Sequence, residues 1–130
     1  MEVLLLEDNA TVRRALYTSL TRAGHRVFAV ETVAQAHEVA ADRSLDLIIS
    51  DFFLPDGTGA DFMGWIKERH AVPGIAISGD TDPGVRDLCL RAGFMMFLPK
   101  PLMSATLERA ISQLFAMEEH PSWCPAAPPS

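Results

Sequence analysis

The sequence predicts an α/β domain in which helices cover both faces of a parallel five-stranded sheet. Two observations lead to this prediction: five short apolar runs alternate with five helical segments, and the connections between them are only a few residues long. A helix between successive strands requires parallel pairing, and each crossover is expected to be right-handed. The length of 130 residues suits one such domain with its own hydrophobic core.

The first two strand–helix units are marked by apolar runs and by helix-capping residues. Asn9 is suited to cap the first helix, in which apolar residues recur at every fourth position. Thr32 is suited to cap the second helix, and Gln35, three residues later, completes a capping box. We expect strands at 3–6 and 26–30, a first helix that ends at Gly24, and a second helix over 33–43.

Three further strand–helix units follow, and Gly and Pro residues separate them. A turn cluster at 55–59 follows the third strand, and Pro73 breaks the third helix. Asp82 and Pro83 suit the N-cap and the first position of the fourth helix, and Ser104 caps the fifth. We expect strands at 45–51, 74–78 and 94–98, and helices over 60–69, 83–92 and 104–117.

The composition changes after the last predicted helix. Residues 1–117 form the predicted domain, whereas residues 118–130 contain four prolines and few core-forming side chains. We expect this tail to be disordered or loosely docked. Its Trp123 is equally compatible with docking on a partner and with having no role. Cys124 is expected to be an exposed free thiol, and Cys89, between two leucines, a buried and inert one.

Charge and hydropathy exclude several classes of protein. A net charge of −6 argues against a nucleic-acid-binding surface, which requires a basic patch. The N-terminal apolar run is too short for a signal peptide and has no basic residues before it, and no segment is long enough to span a membrane. The two cysteines match no metal-binding spacing. We therefore expect a cytoplasmic protein without nucleic-acid or membrane partners.

Polar side chains suited to chemistry lie at the ends of the first, third, fourth and fifth predicted strands. Glu7 and Asp8 follow the first strand, Asp51 ends the third, Ser78 ends the fourth, and Lys100 follows the fifth. The carboxyl ends of parallel strands meet at one edge of a sheet, which is where ligands bind in such folds. Three clustered carboxylates repel one another unless a cation lies among them. Because oxygen ligands suit Mg²⁺, the pattern favours a magnesium site.

This set of groups is suited to phosphoryl transfer. Such a reaction needs positioning, Mg²⁺ and charge stabilisation, and a carboxylate can act as the nucleophile and form an acyl phosphate. Lys100 supplies a positive charge and Ser78 a hydroxyl donor. Asp51 is therefore predicted to be the phosphoacceptor.

Together, these five positions and the Lys100-Pro101 pair resemble the receiver domain of two-component response regulators. The resemblance covers about residues 2–117. It implies a flavodoxin-like three-layer (βα)5 fold with strand order 2-1-3-4-5. It also implies a signalling domain rather than an enzyme, one that assists its own phosphotransfer and autodephosphorylation. With the first strand at Met1 and no output domain after the fifth helix, we expect a stand-alone receiver or one cut from a longer protein.

The resemblance implies a role for each site residue. Asp51 takes a phosphoryl group from a histidine kinase or a histidine phosphotransfer protein. Lys100 and Ser78 contact the phosphoryl oxygens. The metal ion is held by an all-oxygen set consisting of Glu7, Asp8, Asp51 and the backbone carbonyl of Phe53.

The resemblance also implies a conformational switch. Ser78 moves toward the phosphoryl group and the aromatic side chain of Phe97 turns inward. The surface of the fourth helix, fifth strand and fifth helix then changes for a downstream partner, and the protein is a monomer or a phosphorylation-dependent dimer. The Lys100–Pro101 peptide bond is expected to be cis.

Two positions depart from the family pattern and bear on the lifetime of the phosphoryl group. Phe53, two residues after the acceptor, is bulky and apolar, and we expect it to shield the acyl phosphate from water. Asp80, two residues after Ser78, adds a carboxylate that is suited to orient an attacking water. These effects oppose each other, so the sequence leaves the lifetime open.

Two alternatives differ in class. A haloacid-dehalogenase-like phosphatase also uses an Asp nucleophile, and Asp56-Gly57-Thr58 resembles part of its motif. In that family, however, the nucleophile follows the first strand and the acidic pair comes late, whereas here the acidic pair comes first. A pseudo-receiver that is never phosphorylated is the second alternative, and the presence of all five site residues argues against it.

Overall fold

The computed structural model describes residues 1–79 and 83–119, which contain five helices and seven strands. The strands are β1 (Glu2–Leu6), β2 (Arg26–Val30), β3 (Leu47–Asp51), β4 (Phe53–Leu54), β5 (Gly57–Thr58), β6 (Gly74–Ser78) and β7 (Met96–Pro99). The helices are α1 (Ala10–Arg22), α2 (Val33–Asp42), α3 (Gly59–Arg69), α4 (Pro83–Ala92) and α5 (Ser104–Glu119).

Five of the strands form one parallel sheet in the order β2-β1-β3-β6-β7. Numbered as the five strands predicted from the sequence, this is the order 2-1-3-4-5, so the predicted flavodoxin-like α/β fold is confirmed. Strand β3 is central and is buried along its whole length. Its last residue, Asp51, therefore lies at the middle of the carboxyl edge of the sheet.

Each face of the sheet carries its own hydrophobic core, because alternate side chains of a strand point to opposite faces. On one face, Leu4 and Leu6 of β1 pack with residues of α2, α3 and α4, including Phe62 and Cys89. On the other face, Val3 and Leu5 pack with residues of α1 and α5. The two helical layers and the sheet between them make the expected three-layer arrangement.

Two elements differ from those predicted. The turn cluster at 55–59 is part of a short antiparallel hairpin, in which Phe53 pairs with Thr58 and Leu54 with Gly57. The last strand of the sheet begins at Met96 rather than at Phe94. The amide of Phe94 donates to the carbonyl of Cys89 and closes the end of α4, with Gly93 at φ +118°. This Schellman-type ending delays the strand by two residues.

Two of the predicted helix caps are present, one of them with a change of partner. Ser104, predicted to cap the fifth helix, is instead the first residue of α5, because the amide of Leu107 already donates to the carbonyl of Met103. The side chains of Asn9 and Thr32 accept from the amides of Val12 and Gln35, at 3.0 and 3.1 Å. In return, the side-chain oxygen of Gln35 accepts from the amide of Glu31 rather than from that of Thr32. The capping box therefore closes one residue earlier than predicted.

Several predicted features lie outside the described residues. These are the proposed cap Asp82, the modulating carboxylate Asp80, and Trp123 and Cys124 of the C-terminal tail. Within the described residues, no helix has the length and apolar character needed to cross a membrane.

Candidate functional site

The carboxyl edge of the sheet brings four of the predicted site residues together. Asp51 ends β3, Glu7 and Asp8 directly follow β1, and Lys100 directly follows β7. The Nζ atom of Lys100 lies 2.5 Å from Oε1 of Glu7 and 2.7 Å from Oδ2 of Asp51. One ammonium group thus pairs with carboxylates from two different strand ends.

The carboxylate of Asp51 has a defined orientation. Its Oδ1 accepts from the amide of Phe52 at 2.7 Å, and its Oδ2 accepts from Lys100. The residue is 8% exposed, so the carboxylate is largely shielded but open to one side. One hydrogen-bond donor contacts each carboxylate oxygen, so the orientation of the carboxylate plane is fixed.

Three carboxylates form a cluster that suits a divalent cation. One oxygen from each of Glu7, Asp8 and Asp51 lies within 4.8 Å of the other two. Glu7 is fully buried, and its Oε1 makes no hydrogen bond of good geometry although it is close to Lys100. Asp8 is exposed and gives the cluster access to solvent. An all-oxygen donor set with an incompletely satisfied buried oxygen fits Mg²⁺.

Burial and charge shift the pKa values of the paired groups. Burial raises the pKa of the Glu7 carboxyl above its usual value of 4.5, and the close Lys100 ammonium and a hydrogen bond from the amide of Asn9 oppose this only in part. For Lys100, burial favours the neutral amine, but the hydrogen bond to Asp51 and the close carboxylate of Glu7 outweigh it and raise its pKa above 10.5. Lys100 therefore stays charged, and Glu7 is the carboxyl group whose pKa rises.

The loop that carries the acidic pair is held by a residue that the sequence analysis missed. Arg13 of α1 donates to the carbonyl oxygens of Glu7 and Asp8, at 3.0 and 3.3 Å. Its guanidinium also lies 3.5 Å from the carboxylate of Glu31, which follows β2. An Arg one helical turn after an N-cap is a weak sequence signal, because only the fold brings it back over the preceding loop.

Ser78 and Phe97 lie on β6 and β7, and Pro101 follows β7. Ser78 is buried at the end of β6, and its carbonyl accepts from the amide of Lys100 at 2.8 Å. The Lys100–Pro101 peptide bond is cis. Phe97, on the edge strand β7, is half-buried and packs against the core that contains α2, α3 and α4.

A close approach of α3 supports the end of β3. The hydroxyl of Ser50 donates to the carbonyl oxygen of Asp51 at 2.8 Å. Gly59 begins α3 directly beside these groups, where a Cβ atom would overlap both the carbonyl oxygen of Asp51 and the hydroxyl of Ser50. The amide of Gly59 donates to the carbonyl of Phe52 at 2.8 Å. Only glycine leaves room for the helix to start at this point.

The hairpin after Asp51 carries Phe53 and Asp56. The side chain of Phe53 is 55% exposed and contacts the ring of Phe52 edge-on, at 4.7 Å between centroids. Asp56 lies away from the acidic cluster, and its carboxylate accepts from the amides of Val33 and Ala34 at the start of α2. The segment Asp56-Gly57-Thr58, which resembles a phosphatase motif, thus supplies a tertiary cap for α2, and no sequence pattern marked this role.

Comparison with known proteins identifies the relatives of this chain. Residues 3–112 match the family model described as the response regulator receiver domain. The KDP operon transcriptional regulatory protein KdpE of Escherichia coli is 40% identical over 99 residues, which are 76% of this chain and 44% of KdpE. The sensory/regulatory protein RpfC of Xanthomonas campestris is 29% identical over 119 residues, 88% of this chain and 16% of RpfC. The chain thus spans less than half the length of these relatives.

Solved structures agree with the family match. The receiver domain of the sensor histidine kinase PA1611 of Pseudomonas aeruginosa, which has a magnesium ion coordinated in its active-site cleft, is 31% identical. It superposes with a TM-score of 0.80 over 88% of this chain and 97% of that one. A CheY-like receiver domain protein of Methanospirillum hungatei superposes with a TM-score of 0.84 at 20% identity, over 91% and 95% of the two chains, which supports the fold alone.

Proposed function

This chain belongs to the response regulator receiver domain family, and we propose that Asp51 is its phosphoacceptor. The observation that carries the proposal is the position of the Asp51 carboxylate. It ends the central strand, accepts from Lys100 at 2.7 Å and lies beside Glu7 and Asp8. Among the described residues, the carboxylates of Glu7 and Asp51 pair with Lys100, and of these two Asp51 is the one that ends β3.

The proposed reaction transfers a phosphoryl group to Asp51. A carboxylate oxygen of Asp51 attacks the phosphorus of a phosphohistidine, the oxygen–phosphorus bond forms, and the phosphorus–nitrogen bond breaks. The electron pair stays on the departing imidazole. Hydrolysis of the acyl phosphate by water then restores the carboxylate and releases inorganic phosphate. The domain is a signalling domain, and its assistance to both steps is part of the proposal.

We propose that Glu7, Asp8 and Asp51 hold Mg²⁺, with the carbonyl of Phe53 as a further ligand. Bound there, the ion would neutralise charge on the phosphoryl oxygens. Glu7 and Asp51 provide buried carboxylate oxygens, and Asp8 provides an exposed one. Arg13 fixes the loop that presents Glu7 and Asp8 through its hydrogen bonds to their carbonyl oxygens.

Lys100 and Ser78 are proposed to bind the phosphoryl oxygens. The Lys100 ammonium is already within hydrogen-bond distance of Asp51, and its raised pKa keeps it charged. Ser78 ends the neighbouring strand β6, and its main chain is bonded to that of Lys100. Both donors therefore come from elements that the sheet holds beside Asp51.

The phosphorylated state is proposed to act through the face formed by α4, β7 and α5. Ser78 would move toward the phosphoryl group, and Phe97 on β7 would turn inward from its half-buried position. The new charge at Asp51 thus biases a packed element that has two arrangements. A partner protein would bind this face with a different affinity after phosphorylation, and the partner can be a second copy of this chain, which gives a phosphorylation-dependent dimer.

Response regulators interact with histidine kinases, and we propose that a histidine kinase or a histidine phosphotransfer protein supplies the phosphoryl group in the cytoplasm. The family match and the receiver domain of the sensor histidine kinase PA1611 support a place in two-component signalling. Residues 1–117 are proposed to act as the receiver unit. The lifetime of its phosphoryl group is proposed to depend on Phe53, which would shield the acyl phosphate, and on Asp80.

Intact-mass measurement after incubation with acetyl phosphate and Mg²⁺ tests the proposal. We expect the wild type to gain the mass of one phosphoryl group, and Asp51→Ala to gain none. Asp46→Ala is the matched control, because Asp46 directly precedes the opposite end of the same strand and its carboxylate accepts from the amide of Glu2. A wild type without mass gain, or a gain that persists in Asp51→Ala, would contradict the assignment.

A further inference from the structure

The hairpin formed by β4 and β5 is the part of the site that projects from the sheet. It begins immediately after Asp51 and carries Phe53 in its first strand. Its base is fixed to α3, because the Thr58 hydroxyl accepts from the amide of Asp61 at 3.0 Å and the amide of Gly59 donates to the carbonyl of Phe52. A two-residue strand pair has little stability of its own, so other contacts must hold its tip.

The tip of this hairpin is tied to a helix that contributes no residue to the site. The two carboxylate oxygens of Asp56 accept from the amides of Val33 and Ala34, at 2.8 and 3.0 Å. These are the first two residues of α2, whose amides have no partner within the helix. A Cβ atom on Gly57 would also lie 3.4 Å from the side chain of Val33. The hairpin tip thus supplies half of the N-terminal cap of α2.

The other half of this cap is local. The hydroxyl of Thr32, the residue directly before α2, accepts from the amide of Gln35 at 3.1 Å. Thr32 and Asp56 therefore both accept hydrogen bonds from amides at the start of α2, but of these two residues Asp56 is the one that links the helix to the hairpin. The hydrogen bonds from Val33 and Ala34 lower the pKa of the Asp56 carboxyl, so it is ionised at neutral pH and favourably placed at a helix N-terminus.

We propose that Asp56 is a positioning residue that anchors the hairpin to α2 and thereby slows the loss of the phosphoryl group from Asp51. The inference rests on the proposed role of Asp51 as phosphoacceptor. With the anchor in place, Phe53 and its backbone carbonyl keep one position relative to the acceptor. Without the anchor, the hairpin samples displaced positions that admit water to the acyl phosphate.

The first experiment compares the phosphoryl lifetime of four proteins: wild type, Asp56→Ala, Asp56→Asn and Thr32→Ala. Each is phosphorylated with acetyl phosphate and Mg²⁺, separated from the reagent, and followed by intact mass. We expect Asp56→Ala to lose the phosphoryl group about three- to tenfold faster, the population change that the loss of one capping interaction allows. Asp56→Asn keeps one acceptor oxygen and should fall between Asp56→Ala and the wild type.

Thr32→Ala is the matched control, because it removes a cap from the same helix without touching the hairpin. We expect its thermal unfolding temperature to fall as in Asp56→Ala and its phosphoryl lifetime to equal that of the wild type. Equal lifetimes in Asp56→Ala and the wild type would overturn the proposal. So would equal shortening in Thr32→Ala and Asp56→Ala, because the effect would then come from the stability of α2 alone.

A second readout does not depend on phosphorylation. Amide hydrogen exchange at Gly59 reports on its bond to the carbonyl of Phe52, at the base of the hairpin. We expect faster exchange at Gly59 in Asp56→Ala and unchanged exchange in Thr32→Ala. If the wild type gains no phosphoryl group, the proposed function fails and this readout still decides whether Asp56 anchors the hairpin. Unchanged Gly59 exchange in Asp56→Ala would overturn the anchor.

Discussion

The body of strand β3 and its last residue illustrate two opposite uses of burial. Leu47, Ile48 and Ile49 are fully buried and pack into the two cores, where every apolar contact favours the folded state. Asp51 and its neighbour Glu7 are also buried, but as carboxylates that share one ammonium group. Burial in the first region stabilises the fold. Burial in the second region leaves two carboxylates with only one ammonium between them, and a bound cation would reduce their repulsion.

The difference shows that the site depends on a rigid surrounding. Crowded carboxylates persist only where the structure around them cannot relax, and central parallel strands supply that rigidity. Gly59 and Ser50 pack directly against the backbone of Asp51 and join the two regions. Substitutions can therefore act on the core, on the junction or on the carboxylates, and their expected effects decrease in that order.

The largest expected effect is on the core. Ile49→Ala removes a fully buried side chain from the central strand and should lower the free energy of unfolding by about 2–5 kcal/mol. Urea denaturation followed by fluorescence or circular dichroism measures this loss. Met103→Ala, at a side chain that is 70% exposed, is the control and should change stability by less than about 0.5 kcal/mol. Similar losses in both variants would contradict the assigned burial.

A smaller effect is expected at the junction. Gly59→Ala introduces a methyl group against the carbonyl oxygen of Asp51 and the hydroxyl of Ser50, and should cost about 1–3 kcal/mol. Because the carbonyl oxygen belongs to the acceptor residue itself, the variant should also gain less phosphoryl mass than the wild type in the acetyl phosphate reaction. Gly64→Ala is the control, since a Cβ atom at Gly64 of α3 meets no neighbour within 4 Å. If Gly59→Ala gained as much phosphoryl mass as the wild type, the packing of Gly59 against Asp51 would not affect the reactivity of the carboxylate.

The smallest effect is expected in the pH dependence of stability, where two carboxylates act in opposite directions. The folded-state pKa of Glu7 is raised above 4.5, so the native state binds more protons than the unfolded state between these values. Stability therefore falls as the pH rises through that window. The folded-state pKa of Asp56 is lowered below 3.8, so its contribution is present above 3.8 and is lost as the pH falls through the folded-state pKa.

Urea denaturation at a series of pH values, with a chelator present to exclude divalent cations, tests this contrast. Relative to the wild type, Glu7→Gln should gain stability as the pH rises above 4.5, because its neutral side chain avoids the cost of a buried charge. Asp56→Asn should lose stability above 3.8 and approach the wild type at lower pH. Parallel pH profiles for the two variants would mean that the two carboxylates share one environment.

Much of the fold could be predicted from the sequence because its determinants are local. Apolar runs, helical periodicity and caps such as Asn9 and Thr32 act over a few residues, and both caps form the predicted bonds to Val12 and Gln35. Element boundaries were less predictable. The β4–β5 hairpin and the late start of β7 depend on hydrogen bonds whose partners a propensity argument does not choose.

The candidate site divides in the same way. Glu7, Asp8, Asp51 and Lys100 were predicted to meet because each stands at a strand end, and parallel strands share a carboxyl edge. Arg13 and Asp56 were missed as organising residues. Their partners are carbonyl oxygens and amides of other loops, and no side-chain pattern in the sequence marks such groups.

The amino-acid sequence is sufficient to predict the succession of strands and helices along the chain, the chemical groups at the strand ends, and the family to which the chain belongs. These follow from local periodicity and from residue types at fixed places along the chain. Three features arise from the folded arrangement: Lys100 pairs with both Glu7 and Asp51, burial raises the pKa of Glu7, and the carboxylate of Asp56 caps α2. Those outcomes depend on distances between residues far apart in the chain, and such distances exist only once the sheet has formed.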